Sequence, residues 1–159
     1  MNTWLKVRIW LPLRALLQAG LSPEGLAWSV SVGLALGVIP LWGTSTALCV
    51  WAAVAFRLNQ VAMQVANYLA YPLQLALIIP FIRLGERLFG APRLPLSLPL
   101  IQQAVRTDAW AALGAFWTSL WHAAVAWALV MPVPVALLAW GLAPVFRWAM
   151  RRYRPQIVD

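Results

Sequence analysis

The sequence has 159 residues, enough for one domain, and 63% of them are apolar while only 10% are charged. A soluble domain carries about a quarter charged residues, so this composition excludes a soluble monomer and predicts an integral membrane protein. Twelve Lys and Arg against four Asp and Glu leave a net charge of +8, and the basic residues gather at segment ends. That pattern fits anionic lipid head groups as partners and not nucleic acid. Cys49 is the single cysteine and forms no intramolecular disulfide.

Residues 1–20 read as an amphipathic amino-terminal helix, interfacial or packed on the bundle. Leu5, Ile9, Leu13 and Leu16 share one of its faces, and Pro12 bends it. Ser22 then caps a new helix, with Pro23 at its first position and Glu24 in its first turn. Residues 21–90 form the membrane core. Within it, Gly25 to Phe56 lacks any Asp, Glu, Lys or Arg and divides at Pro40-Leu41-Trp42-Gly43 into two helices of about 24 Å each, short of a full span of about 30 Å. A second uncharged stretch, Leu58 to Ile82, is interrupted by Tyr71-Pro72 and by Pro80.

Residues 91–108 carry Pro92, Pro95 and Pro99 and read as a basic extramembrane loop followed by a short helix from about Leu100 to Arg106, with Glu86 salt-bridged at the helix end before it. Residues 109–159 read as a helical hairpin and a basic tail. Asp108 caps its first helix, Ala109 to Val130, and Met131-Pro132-Val133-Pro134 divides it from a shorter second helix. The fold expected is all-α, an integral membrane bundle of about four to six transmembrane or re-entrant helices with interfacial basic ends.

Every boundary between apolar stretches is basic: Arg57, the group Arg83, Arg87, Arg93 and Arg106, and finally Arg147, Arg151, Arg152 and Arg154. Because Lys and Arg concentrate on the cytoplasmic side, both termini and all basic segments are expected there. The apolar stretches must then enter and return as hairpins or re-entrant segments; the alternative is four ordinary spans with one basic loop outside. Non-helical backbone at membrane depth has to be buried or to line a wet cavity, so a cavity is expected near Pro40 to Ser45.

Two polar constellations carry the binding hypothesis. Gln60, Gln64, Asn67, Tyr71 and Gln74 are spaced 4, 3, 4 and 3 apart, which on one straight helix puts all five on one face. Such a stripe either hydrogen-bonds neighbouring helices or lines a groove, and amides without carboxylates suit a sugar, head group or zwitterion better than a metal ion. Gly43-Thr44-Ser45-Thr46 opens the helix after the Pro40 break. Its free N–H groups and hydroxyls form a natural anion site, or else Thr44 or Ser45 is an ordinary cap. The expected substrate-binding set is Gly43, Thr44, Ser45, Thr46, Arg57, Asn59, Gln60, Gln64, Asn67, Tyr71 and Gln74, with Thr44, Ser45, Gln64 and Asn67 around one pocket opening toward the side where Arg57 lies.

Gly33 and Gly37 form a G-x-x-x-G spacing that permits close helix approach. His122 is the only ionisable side chain deep in an apolar stretch. With Ser119 it is a second polar candidate, unless it is simply bonded to Thr118.

Ser22-Pro23, Ala27, Gly33, Gly37, Pro40 with Gly43, Arg57-Leu58-Asn59, Pro72 and Leu84-Gly85, in that order, resemble the bacterial domain-of-unknown-function family 2062 over Leu21 to Gly90. The chain departs from the family's frequent Asn-Pro at Tyr71-Pro72 and from its Thr at Gln74. The resemblance implies a small multi-pass bacterial inner-membrane protein, sometimes joined to glycosyltransferase-like domains.

No phosphate-loop, zincin, C-x-x-C or G-x-S-x-G motif is present. No catalysis, cofactor or metal is expected. Two functions remain: transport or handling of a polar or anionic lipid head group, or a non-catalytic scaffold that binds partner helices, with a homo-oligomer or partner membrane protein implied.

Overall fold

A computed structural model describes residues 22–41 and 43–153. The expectations placed on residues 1–20, Trp42 and Arg154 fall outside them. The described residues form seven α-helices and no strand: α1 (Pro23–Gly37), α2 (Ser45–Phe56), α3 (Gln60–Leu69), α4 (Tyr71–Phe89), α5 (Leu98–Thr107), α6 (Ala109–Val130) and α7 (Pro132–Tyr153).

Local signals set several helix ends. Ser22 Oγ accepts the Gly25 N–H at 3.0 Å and Pro23 occupies the first helical turn, where its missing N–H costs nothing. Asp108 Oδ1 accepts the Ala111 N–H at 3.0 Å and opens α6. Arg57, the one non-glycine residue with positive φ among those described (53°), ends α2 in the left-handed conformation, and the Leu58 N–H reaches back to Ala53 O. Asn59 then caps α3 through the Ala62 N–H at 2.7 Å.

α1 and α3 run parallel and very close. A Cβ on Gly33 would stand 2.5 Å from the Met63 carbonyl oxygen, and one on Gly37 would stand 2.6 Å from Ala70 Cβ, so only glycine allows this backbone approach. Ser29, fully buried, ties their amino ends together by donating to Gly25 O at 2.6 Å and accepting the Asn59 N–H at 2.8 Å. α2 folds back against both around Cys49, Ala52, Ala53 and Met63. α7 lies along α1, where Phe146 and Met150 pack on Leu26 and Ala62. α4 and α6 form a second pair, crossing where Gly85 meets the His122 backbone and packing through Phe81, Ile82 and Ala123. The indole N–H of Trp127 donates to Ala35 O at 3.0 Å and joins the two groups.

Three expectations change. Pro80 does not interrupt its helix; it lies inside α4, as Pro144 lies inside α7. Pro99 opens α5 and so belongs to the helix rather than the loop. The carboxy-terminal unit is not a hairpin of two packed arms: Met131 alone joins α6 to α7, with helical dihedrals, and Val135 N–H still bonds to its carbonyl. The sequence break there comes from Pro132 and Pro134, which remove N–H donors without forcing a reversal.

α6 and Pro132–Arg152 within α7 are long and apolar enough to cross a membrane, and α3 with α4, bent by 67° at Ala70, form a third candidate as a pair. α2 is apolar but shorter.

The glycine contacts generate a direct test. Replacing Gly33 by Leu should abolish recovery of monodisperse protein in detergent, because the clash is with backbone that cannot move aside. Gly114 has open space around its Cβ position. Gly114→Ala should therefore leave recovery unchanged and add up to about 1 kcal/mol of helix stability.

Candidate functional site

The turn between α1 and α2 is irregular backbone. α1 ends as the Val38 N–H reaches Ala35 O at 3.2 Å, and Pro40, with no N–H, is completely buried. Gly43 takes φ +80° with nothing near its Cβ position, which turns the chain into α2. Thr44 sits at the cap position, but its hydroxyl donates to Leu41 O at 2.9 Å and does not cap the helix. The ordinary-cap reading of Thr44 is thereby corrected. The first N–H groups of α2 have no intrahelical partner, and the positive end of the helix stands beside the Ser45 and Thr46 side chains.

These residues border an open groove of about 470 Å³. Gly37, Gly43, Ser45 and Thr46 form one side, and Asn67, Tyr68, Tyr71 and Gln74 form the other. Gln74, buried, donates to the Ile39 carbonyl at 2.8 Å and so satisfies an acceptor just past the end of α1. Gln64 donates to Thr46 O at 3.2 Å and accepts from Asn67 Nδ2 at 3.4 Å, which links α3 to the start of α2. The amides thus serve both uses: Gln64 and Gln74 bind neighbouring segments, while Asn67, Tyr71 and Gln74 also line the groove.

The expected set is not all in one place. The 67° bend at Ala70 breaks the single straight face assumed for Gln60 to Gln74. Gln60 opens α3 and Asn59 caps it, both at the end opposite the groove. Arg57 closes α2, about 18 Å along that helix from Ser45, so the groove does not open beside it. Thr44 adjoins the groove without lining it. Tyr68 and Gly37 are groove residues that the sequence pattern missed. On a straight helix Tyr68 falls off the stripe, and Pro72 in the first turn of α4 was the available sign that the helix is not straight.

The second candidate is at the α4–α6 crossing. His122 stacks on Phe89 with ring centroids 4.3 Å apart and 11° between planes, and its buried Nδ1 has no partner among the described residues. Thr118 does not bond to it as expected; that hydroxyl donates to Gly114 O at 2.9 Å. Ser119 is buried one turn before it. Glu86 is held by Arg83 at 2.8 Å and by the Leu94 N–H at 2.7 Å, and Asp108 by its capping role, so neither carboxylate orients this imidazole.

The Gly33 and Gly37 surface is filled by α3 of the same chain, which removes it as a docking face for a partner helix.

A family model described as an uncharacterized protein conserved in bacteria (DUF2062) matches residues 11–155. The chain belongs to this family. No curated protein and no solved structure matches it. In this DUF2062 member, Tyr71 and Gln74 both line the groove.

The two glutamines should differ in weight. Gln74→Leu leaves the Ile39 carbonyl buried and unpaired and should cost about 1–3 kcal/mol, read as a lowered thermal midpoint. Gln64→Leu, at a half-exposed position, should cost under about 1 kcal/mol.

Proposed function

We propose that this DUF2062 protein is a multi-pass protein of the bacterial inner membrane that binds, and helps to move, a lipid through its polar or anionic head group. The observation that supports the reading is the groove at the α1–α2 turn. It combines the positive end of α2, two hydroxyl residues, the Asn67 amide and the Tyr71 phenol at the end of a hairpin of largely apolar helices. Amide, hydroxyl and backbone N–H donors without a carboxylate suit phosphate oxygens.

In the proposed topology, α6 and α7 are two tilted arms within the bilayer that meet at Met131, with Arg106 and Arg151 at its cytoplasmic surface. α1 and α2 enter and return as a re-entrant hairpin. The bent α3–α4 pair does likewise, since Arg57 and Arg83 stand near its two ends. All basic boundaries then face the cytoplasm, in keeping with the positive-inside rule. Amphipathic α5, with Leu100, Ile101 and Val105 exposed, lies in the membrane surface.

Asn67→Leu combined with Tyr71→Phe removes groove polarity and spares the Gln74 anchor. Phosphatidylglycerol retention, followed by native mass spectrometry, should fall about tenfold, the worth of one or two hydrogen bonds to an anionic group. Unchanged retention in a folded double variant would refute the groove as a head-group site.

A further inference from the structure

At the other end of α1, about 20 Å from Gly37, a second groove of about 580 Å³ runs between α1 and α7. Its α7 side is floored by the buried Ala139 and Ala143 and walled by Trp140, which is 82% exposed. Its α1 side presents Glu24 and Trp28, one turn apart and hence on one helix face. Arg147 closes the end.

Glu24 and Arg147 form a loose pair: Nε to Oε1 is 3.5 Å, and both side chains are about half exposed. At that distance neither group is locked by a hydrogen bond. The guanidinium keeps its terminal fork for a phosphate, and the carboxylate keeps its second oxygen. Arg152, by contrast, sits 5.3 Å above the Trp148 ring.

We propose that this groove binds one phospholipid whose head group carries a primary ammonium next to its phosphate, as in phosphatidylethanolamine. The ammonium lies against the Glu24 carboxylate and the Trp28 indole face, a pairing of charge and cation–π attraction. The phosphate meets the free Arg147 fork, and one acyl chain follows the alanine floor beside Trp140. Charge selects this occupant over an anionic lipid. Arg147 alone would take either, but Glu24 in the same groove attracts the ammonium and repels a net negative head. The floor belongs to a helix long and apolar enough to cross a membrane, which favours an acyl chain over a water-soluble ligand.

The test is native mass spectrometry of the purified full chain with equal amounts of dioleoyl phosphatidylethanolamine and dioleoyl phosphatidylglycerol. Because the turn groove holds the glycerol lipid, the ratio is read in the Asn67→Leu, Tyr71→Phe background. There the chain should retain the ethanolamine lipid over the glycerol lipid by about fivefold, and adding Glu24→Gln should bring the ratio to about one. Adding Trp28→Leu keeps both charges and should lower the ratio as well, so a fold defect in one variant does not decide the matter. Either no preference in that background or its persistence in folded chains that add Glu24→Gln and Trp28→Leu would overturn the α1–α7 site.

Discussion

The close approach of α1 to α3 is the contact on which the rest of the structure depends. With no side chain at Gly33 and Gly37, the α1 backbone lies against Met63, Asn67 and Ala70, and packing of this kind, rather than a hydrophobic driving force, holds helices together in lipid. It fixes α3 in register with α1, through Ser29 and Asn59 at one end and Gly37 and Ala70 at the other. Only in that register do Asn67 and Gln74 arrive beside the α1–α2 turn.

The turn in turn explains the polar residues of the core. Irregular backbone leaves carbonyl and N–H groups that lipid cannot satisfy. Here Gln74 takes the Ile39 carbonyl and Thr44 takes that of Leu41, while Gln64 tethers the first turn of α2 at the Thr46 carbonyl. The N–H groups at the start of α2 stand beside this network. α1 and α2 are about 22 and 18 Å long, well under the roughly 30 Å of a bilayer core. On the proposed topology the start of α2 therefore lies inside the membrane, where an anionic head group gains most from its positive end.

Features that depend on neighbours in sequence were legible: the caps at Ser22 and Asp108, the extent of α6, the break after Pro40 and the Arg83–Glu86 pair. The glycine spacing announced a close contact but not its partner, since nothing local distinguishes α3 of the same chain from a foreign helix. The polar stripe was misread for a specific reason. Periodicity across Tyr71-Pro72 assumes a straight axis, and the 67° bend turns Tyr71 and Gln74 off the line of α3, so that Tyr68 joins them at the groove while Gln60 stays at the far end of α3. Contacts such as Trp127 with Ala35 or Arg147 with Glu24 join residues far apart in the chain and leave no periodic trace.

The claim that the α1–α2 hairpin enters the membrane and returns without crossing it is tested most directly by cysteine accessibility in a Cys49→Ala background, in intact cells and inverted vesicles. Single cysteines at Arg57, Thr46 and Arg151 are exposed to a bulky impermeant maleimide. The account predicts that the Arg57 and Arg151 positions react only from the cytoplasmic face and that the Thr46 position stays silent from the periplasmic face. Ready labelling of the Thr46 position in intact cells would make α1 and α2 full crossings and contradict the account.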